Sequence, residues 1–75
     1  MRTKPHAFVR RDDGEVFLLD KDGTYFNAKM RIDYPGHLQH AWSESAFDDR
    51  TTFRPVAKAE DLFAVQEACR LERAK

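Results

Sequence analysis

Two short polar inserts, each ending in glycine, constrain the fold of this chain more than any other feature of its sequence. They are Asp12-Asp13-Gly14 and Lys21-Asp22-Gly23, and each separates two runs that contain apolar residues. A three-residue loop that ends in glycine is typical of a β-hairpin, because glycine tolerates the positive φ that closes a type I turn with a bulge. The sequence therefore predicts two successive hairpins.

Each loop also predicts which residues face one another. The expected pairs are Arg11 with Glu15, Val9 with Phe17, Phe8 with Leu18 and His6 with Asp20 in the first hairpin, and Leu19 with Tyr25, Leu18 with Phe26 and Val16 with Ala28 in the second. Side chains alternate between the two faces of a sheet. One face then collects an apolar set, which we expect to be the core: Phe8, Val16, Leu18, Phe26, Ala28, Met30 and Ile32.

Alternation continues from Thr24 to Tyr34, where every second residue from Phe26 to Ile32 is apolar. A period of two over this length predicts a third strand. The following Tyr34-Pro35-Gly36-His37 matches a type II turn, with proline second and glycine third. The turn predicts a fourth strand from His37 to Ser43, with a short helix as the alternative for the same segment.

The rest of the chain, from Ser43 onward, has a different pattern. Ser43 to Arg50 is consistent with a loop or a single helical turn, and Thr51 to Val56 with a short extended segment closed by Pro55. From Ala59 onward the pattern is an amphipathic helix whose inner side carries Ala59, Leu62, Phe63, Gln66 and Cys69. We expect a single small domain over residues 1–75 with an α+β fold: a four- to five-stranded antiparallel β-meander with a C-terminal α-helix packed on one face.

The opposite face of the predicted sheet is also apolar, and one terminal helix cannot cover both faces. It carries Ala7, Val9, Phe17, Leu19 and Tyr25, and continues to Lys29, Arg31, Leu38, His40 and Trp42. Two explanations are open. The segment with Phe47 and Phe53 folds back as a second small core, or the face binds a partner, as contiguous apolar patches on small proteins commonly do.

The leading functional hypothesis is a non-catalytic intracellular protein-binding module of adaptor or inhibitor type. Its predicted partner is another protein or a second copy of itself, and the predicted contact residues are Phe17, Leu19, Tyr25, Lys29, Arg31, His40 and Trp42. Single-stranded nucleic-acid binding is the alternative, because aromatic side chains among Lys and Arg can stack on bases. Thirteen basic and thirteen acidic residues leave no net charge, which argues against that alternative.

Catalytic and metal-binding patterns are weak, although a small enzyme or a metal-binding protein remains a second alternative. An EF-hand loop that starts at Asp20 needs glycine at its sixth position and glutamate at its twelfth, where this chain has Tyr25 and Arg31. His37 and His40 point to opposite faces of a strand. Cys69 lies near the C-terminal end of the predicted helix and on its buried side, where the helix dipole has the wrong sign to activate a nucleophilic thiol. We expect no catalytic site, no metal and no cofactor.

Apolar runs are short throughout the chain. The longest, Val16 to Leu19, is far below the roughly 20 residues that span a bilayer. We therefore expect no membrane association. A single cysteine cannot form an internal disulfide, which is typical of a reducing compartment, so the expected localisation is cytoplasmic.

Overall fold

A computed structural model of the chain describes residues 4–36 and 40–74. It contains a four-stranded sheet of β1 (Ala7–Arg10), β2 (Val16–Leu19), β3 (Tyr25–Asn27) and β4 (Phe53–Val56), with helices α1 (Ala28–Asp33) and α2 (Leu62–Ala74) and 3₁₀ helices at Glu44–Phe47 and Ala59–Asp61. The strand order is β3-β2-β1-β4, and every neighbouring pair is antiparallel. The predicted α+β class, an antiparallel sheet with a C-terminal helix packed on it, is confirmed.

The second hairpin has the predicted register. Leu19 faces Tyr25 and Leu18 faces Phe26, and the N–H of Asp20 donates to the carbonyl of Thr24 at 2.7 Å. Within the turn, the Asp22 carboxylate accepts from both the N–H and the hydroxyl of Thr24. Gly23 adopts φ +88°, which suits glycine. Local turn chemistry therefore determines this hairpin.

The first hairpin is offset by one residue from the predicted register. Phe8 faces Phe17 and Val9 faces Val16, so the expected pairs of Val9 with Phe17 and of Phe8 with Leu18 are wrong. The last pair is formed by Arg10 and Glu15, joined by a backbone bond of 2.9 Å, which puts Arg11 into a four-residue loop. The Asp13 carboxylate stabilises this longer loop by accepting from the Arg10 guanidinium and from the N–H of Glu15.

An offset of one residue turns a whole strand over. Phe8 therefore joins Phe17 and Tyr25 on the second face, whereas Ala7 and Val9 join the face that α2 covers. The predicted pairs of Arg11 with Glu15 and of His6 with Asp20 are lost for the same reason. The carbonyl of His6 instead accepts from the N–H of Leu19 at 2.9 Å.

The predicted third strand ends much earlier than Tyr34. Asn27 is the last residue of β3 and the N-cap of α1, and its side-chain oxygen accepts from the N–H of Met30 at 2.9 Å. Asn is a strong N-cap, and the residues from Ala28 to Arg31 are good helix formers. Met30 and Ile32 were expected in the core but are 48% and 77% exposed, because in a helix they no longer share a face with Phe26.

The segment after α1 is the least regular part of the chain. Of the fourth strand predicted over 37–43, residues 37–39 lie outside the described part. The described remainder is neither strand nor helix, but Trp42 exchanges two backbone hydrogen bonds with Tyr25. The single helical turn allowed for Ser43 to Arg50 is present as the 3₁₀ helix at Glu44–Phe47. The predicted extended segment that ends at Val56 contains β4, which pairs with β1.

Helix α2 covers one face of the sheet over β1 and β4. Its inner side contributes Leu62, Val65 and Cys69 to a core that also contains Ala7, Val9, Val16, Leu18 and Val56. The Gln66 side chain donates to the carbonyl of Gly14 at 3.0 Å, which ties the helix to the first hairpin loop. Phe63 was expected on this side but is 76% exposed, because it lies about 100° around the helix from Leu62. Neither described helix is long and apolar enough to cross a membrane.

Candidate functional site

An aromatic cluster fills the second face of the sheet. Phe47, from the 3₁₀ helix, stacks on Phe8 with ring centroids 4.6 Å apart, and it meets Tyr25 and Phe53 edge-on at 5.2 and 4.9 Å. The Tyr25 hydroxyl donates to the carbonyl of Pro5 at 2.7 Å, and burial raises the pKa of this hydroxyl. The explanation in which Phe47 and Phe53 fold back to form a second core is confirmed.

Four of the seven predicted contact residues, Phe17, Leu19, Tyr25 and Trp42, belong to this cluster or pack against it. Phe17 and Tyr25 are 3% and 0% exposed, and Leu19 packs against them half-buried. Their side chains stabilise the second core, and Phe17 and Tyr25 are inaccessible to a partner in this conformation. Trp42, Phe47 and Phe53 cover these side chains.

The other three predicted residues, Lys29, Arg31 and His40, are exposed beside β3, next to Trp42. Lys29 and Arg31 are exposed on α1. The Arg31 guanidinium lies 3.4 Å above the Phe26 ring and pairs with the Asp20 carboxylate at 3.1 Å, which holds α1 against the sheet. The half-buried Trp42 packs edge-on against Phe17 at 5.1 Å, and the exposed His40 contacts Trp42 at 4.5 Å. The chain that leaves β3 and returns to it thus carries these three residues and Trp42.

The same segment exposes three large apolar side chains, two of which, Met30 and Ile32, were predicted to lie in the core. Met30, Ile32 and Tyr34 are 48%, 77% and 51% exposed, and α1 buries no residue at all. We define the α1 surface as Lys29, Met30, Ile32, Asp33 and Tyr34. The signal that points to it is Asn27 followed by four helix formers, because an N-cap at that position turns the apolar alternation into an exposed helix.

Neither edge of the described sheet is well suited to pair with an additional strand. On β4, Arg11 and Thr52 form a ladder bond at 2.8 Å, so by alternation the backbone groups of Phe53 and Pro55 point outward. The N–H of Phe53 already donates to Asp49 at 2.9 Å, and proline has no N–H to offer. On β3, Tyr25 is occupied by Trp42. A partner is therefore expected to bind side chains rather than to extend the sheet.

Groups that resemble catalytic or metal sites have structural roles instead. Among the described residues, no cluster of three His, Cys, Asp or Glu side chains is placed to hold a metal ion. Hydrogen bonds from Thr24 lower the pKa of Asp22 in its turn. Cys69 is fully buried, and the hydroxyls of Ser43 and Ser45 bond to each other at 2.8 Å. In the described chain, these side chains are buried or bonded to their neighbours.

One shallow cavity of about 280 Å³ lies between β4 and the start of α2. Its walls are mostly apolar, including Pro55, Val56 and Val65, with Arg54 and Asp61 among the lining residues. A binding pocket for a small molecule usually brings several polar groups together in an enclosed space. This cavity is open and small, so it is a weaker candidate than the α1 surface.

In comparisons with known proteins, no family model, curated protein or solved structure matches this chain. The strongest candidate site is the α1 surface, together with the neighbouring Arg31, His40 and Trp42. It combines exposed apolar side chains with charges at the edge of a closed sheet.

Proposed function

We propose that this protein is a non-catalytic protein-binding module, of adaptor or inhibitor type, that contacts its partner through the α1 surface. One observation supports the proposal most directly. Five large apolar side chains are exposed in the described part of the chain, and three of them, Met30, Ile32 and Tyr34, lie within five consecutive residues. Clustered apolar exposure of this kind marks interaction sites more often than scattered exposure does.

The position of α1 supports the same proposal. A six-residue helix is too short to be stable alone in water, so the chain holds it in place from both sides. Asn27 caps its first turn, and Arg31 fixes it to Phe26 and Asp20 on the sheet. The protein therefore presents apolar side chains on a rigid support. A preorganised surface loses less conformational freedom when a partner binds.

A protein partner is favoured over a nucleic acid by the pairing of four arginines with carboxylates. Arg10, Arg31 and Arg70 each pair with a carboxylate, as does Arg11 at the longer distance of 3.5 Å. A cation that already pairs with a carboxylate contributes less to phosphate binding. The rings of Phe8, Phe17 and Tyr25 are sealed inside the second core, where they cannot stack on bases. The two functions differ in salt dependence, because nucleic-acid affinity falls steeply as salt rises.

Photo-crosslinking in the native host tests the proposal. A photoreactive residue at position 32 should give protein adducts, and the same residue at position 63 serves as the control. Ile32 and Phe63 are 77% and 76% exposed, but they lie on different helices. Equal yields from the two positions, or no adduct at position 32, would rule out a specific contact at the α1 surface.

A pair of charge substitutions gives a second, independent readout. Ile32→Asp should abolish adducts from a photoreactive residue at the neighbouring position 34, whereas Phe63→Asp should leave them unchanged. Both side chains are exposed, so the unfolding free energy of each variant should lie within about 0.5 kcal/mol of that of the parent protein. Loss of adducts with both variants would contradict the proposed location.

A further inference from the structure

We infer that the α1 surface binds a second copy of the same chain, with two α1 helices packed antiparallel about a two-fold axis. This inference rests on the proposed function and names its partner. The observation that carries it is the charge arrangement of α1. Lys29 lies in the first turn and Asp33 is the last residue of the helix; both are exposed, and neither has an ion-pair partner among the described residues.

These two charges are placed unfavourably within a single chain. The helix dipole favours acids at the N-terminal end and bases at the C-terminal end, and α1 has the opposite order at Lys29 and Asp33. Lys before Asp at a spacing of four is also the weaker orientation for an ion pair along one helix. The isolated chain therefore gains little from either charge.

In an antiparallel dimer, the same two charges are favourably placed. In a two-fold arrangement, the patch on one copy contacts the same patch on the other. Lys29 and Asp33 are each two residues from Arg31, so a two-fold axis that passes beside Arg31 places Lys29 of each copy opposite Asp33 of the other. Each charge also comes close to the end of the neighbouring helix that favours it.

The apolar side chains lie where such a contact needs them. Lys29 and Asp33 are within about 40° of each other around the helix axis, with Met30 and Ile32 on either side of this stripe. Across the two-fold axis, the exposed Met30 and Ile32 flank the two ion pairs. Apolar contacts bordering reciprocal ion pairs give the interface both attraction and a defined register.

The size of α1 sets the expected strength. A stable dimer usually buries about 800 Å² on each partner, and a six-residue helix is only about 9 Å long. We therefore expect weak, reversible self-association. The mass in solution should rise from 8.8 kDa toward twice that value as the concentration increases.

A charge-reversal experiment tests this arrangement by sedimentation equilibrium. Lys29→Glu puts acid opposite acid in the dimer, and Asp33→Lys puts base opposite base. Each variant alone should therefore self-associate about tenfold or more weakly than the parent chain. An equimolar mixture of the two should form a one-to-one heterodimer, because Glu at 29 then meets Lys at 33 and Lys29 meets Asp33. The double variant regains both ion pairs across the two-fold axis and should dimerise more strongly than either single variant. Circular dichroism checks that every variant stays folded.

Several results would overturn the inference. A parent chain that stays monomeric at every concentration would do so, as would self-association that neither reversal weakens, or a mixture that forms no heterodimer. The proposed function is tested separately. If the parent chain stays monomeric but position 32 crosslinks to a different protein, the second copy is excluded and the binding function stands. If position 32 gives no adduct, both fail.

Discussion

The Phe47 ring lies flat on the Phe8 ring, with the two planes only 7° apart and both side chains almost fully buried. This contact joins a 3₁₀ helix from the irregular part of the chain to the strand at the centre of the aromatic cluster. It closes the second face of the sheet. A small domain thereby acquires two apolar cores on opposite sides of four short strands.

Removing Phe47 should destabilise the whole protein. Phe47→Ala should lower the unfolding free energy by about 3 to 5 kcal/mol. A core of this size rarely supplies more than about 3 to 5 kcal/mol in total. We therefore expect a largely unfolded population without denaturant. Urea titration followed by Trp42 fluorescence measures the effect. Phe63→Ala is the matched control and should change stability by less than about 0.5 kcal/mol. Equal losses for the two variants would contradict a sealed second core.

Replacing the cap of α1 should loosen the helix without unfolding the sheet. Asn27→Ala removes the acceptor for the N–H of Met30 and should cost about 1 kcal/mol. Asn27→Ser retains a capping oxygen and should cost less. Amide hydrogen exchange at residues 30–33 measures the local effect, with the amides of β1 as the internal reference. Unchanged protection in Asn27→Ala would show that the cap does not hold α1.

The first hairpin loop should be sensitive to a side chain at its glycine. Gly14 has φ +74°, and a Cβ at this position would meet only the Gln66 side chain, at 3.9 Å. Backbone strain rather than a clash therefore sets the cost of Gly14→Ala, about 1 to 2 kcal/mol. Gly14→Asn should cost less because Asn tolerates this conformation. Urea midpoints of the two variants test this order, and an Ala variant as stable as the parent would contradict it.

Stability should fall in acid because several carboxylates accept hydrogen bonds in the folded state. Bonds from Thr51 and Thr52 lower the pKa of Asp49 below its ordinary value of 3.8, and the Arg10 guanidinium lowers that of Asp13. A lowered folded-state pKa stabilises the fold above the ordinary value, and this contribution is lost as the pH falls through the lowered value. Urea midpoints from pH 6 to pH 2 should therefore drop below about pH 4. Asp49→Asn should show a shallower drop, and an identical pH profile would contradict the role of Asp49.

The two hairpins show which structural features can be predicted from local sequence. The Lys21-Asp22-Gly23 turn is held by bonds between residues close in the chain, such as Asp22 to Thr24, so its register followed from the sequence. The sequence around the first loop is compatible with a loop of either three or four residues. Arg11 joins the loop because its N–H bonds to Thr52 and its side chain to the carbonyl of Arg50. Both partners lie about forty residues away, beyond the reach of local patterns.

The candidate site divides in the same way. Lys29, Arg31, His40 and Trp42 were predicted as partner contacts. The first three are exposed and Trp42 is half-buried, and their binding role stays a prediction. Phe17 and Tyr25 were assigned to that surface, but Phe47 covers them. Met30 and Ile32 were expected in the core but are exposed, because the cap at Asn27 starts a helix within the alternating pattern.

The sequence by itself determined the α+β class, the second hairpin and the amphipathic C-terminal helix, because turn bonds and apolar periodicity act over a few residues. The tertiary structure alone decided the register of β1, the pairing of β4 with β1 and the closure of the second face by Phe47. Those outcomes depend on which distant segments bury apolar surface together. Packing across the whole domain determines which segments do so, and local sequence patterns do not contain that information.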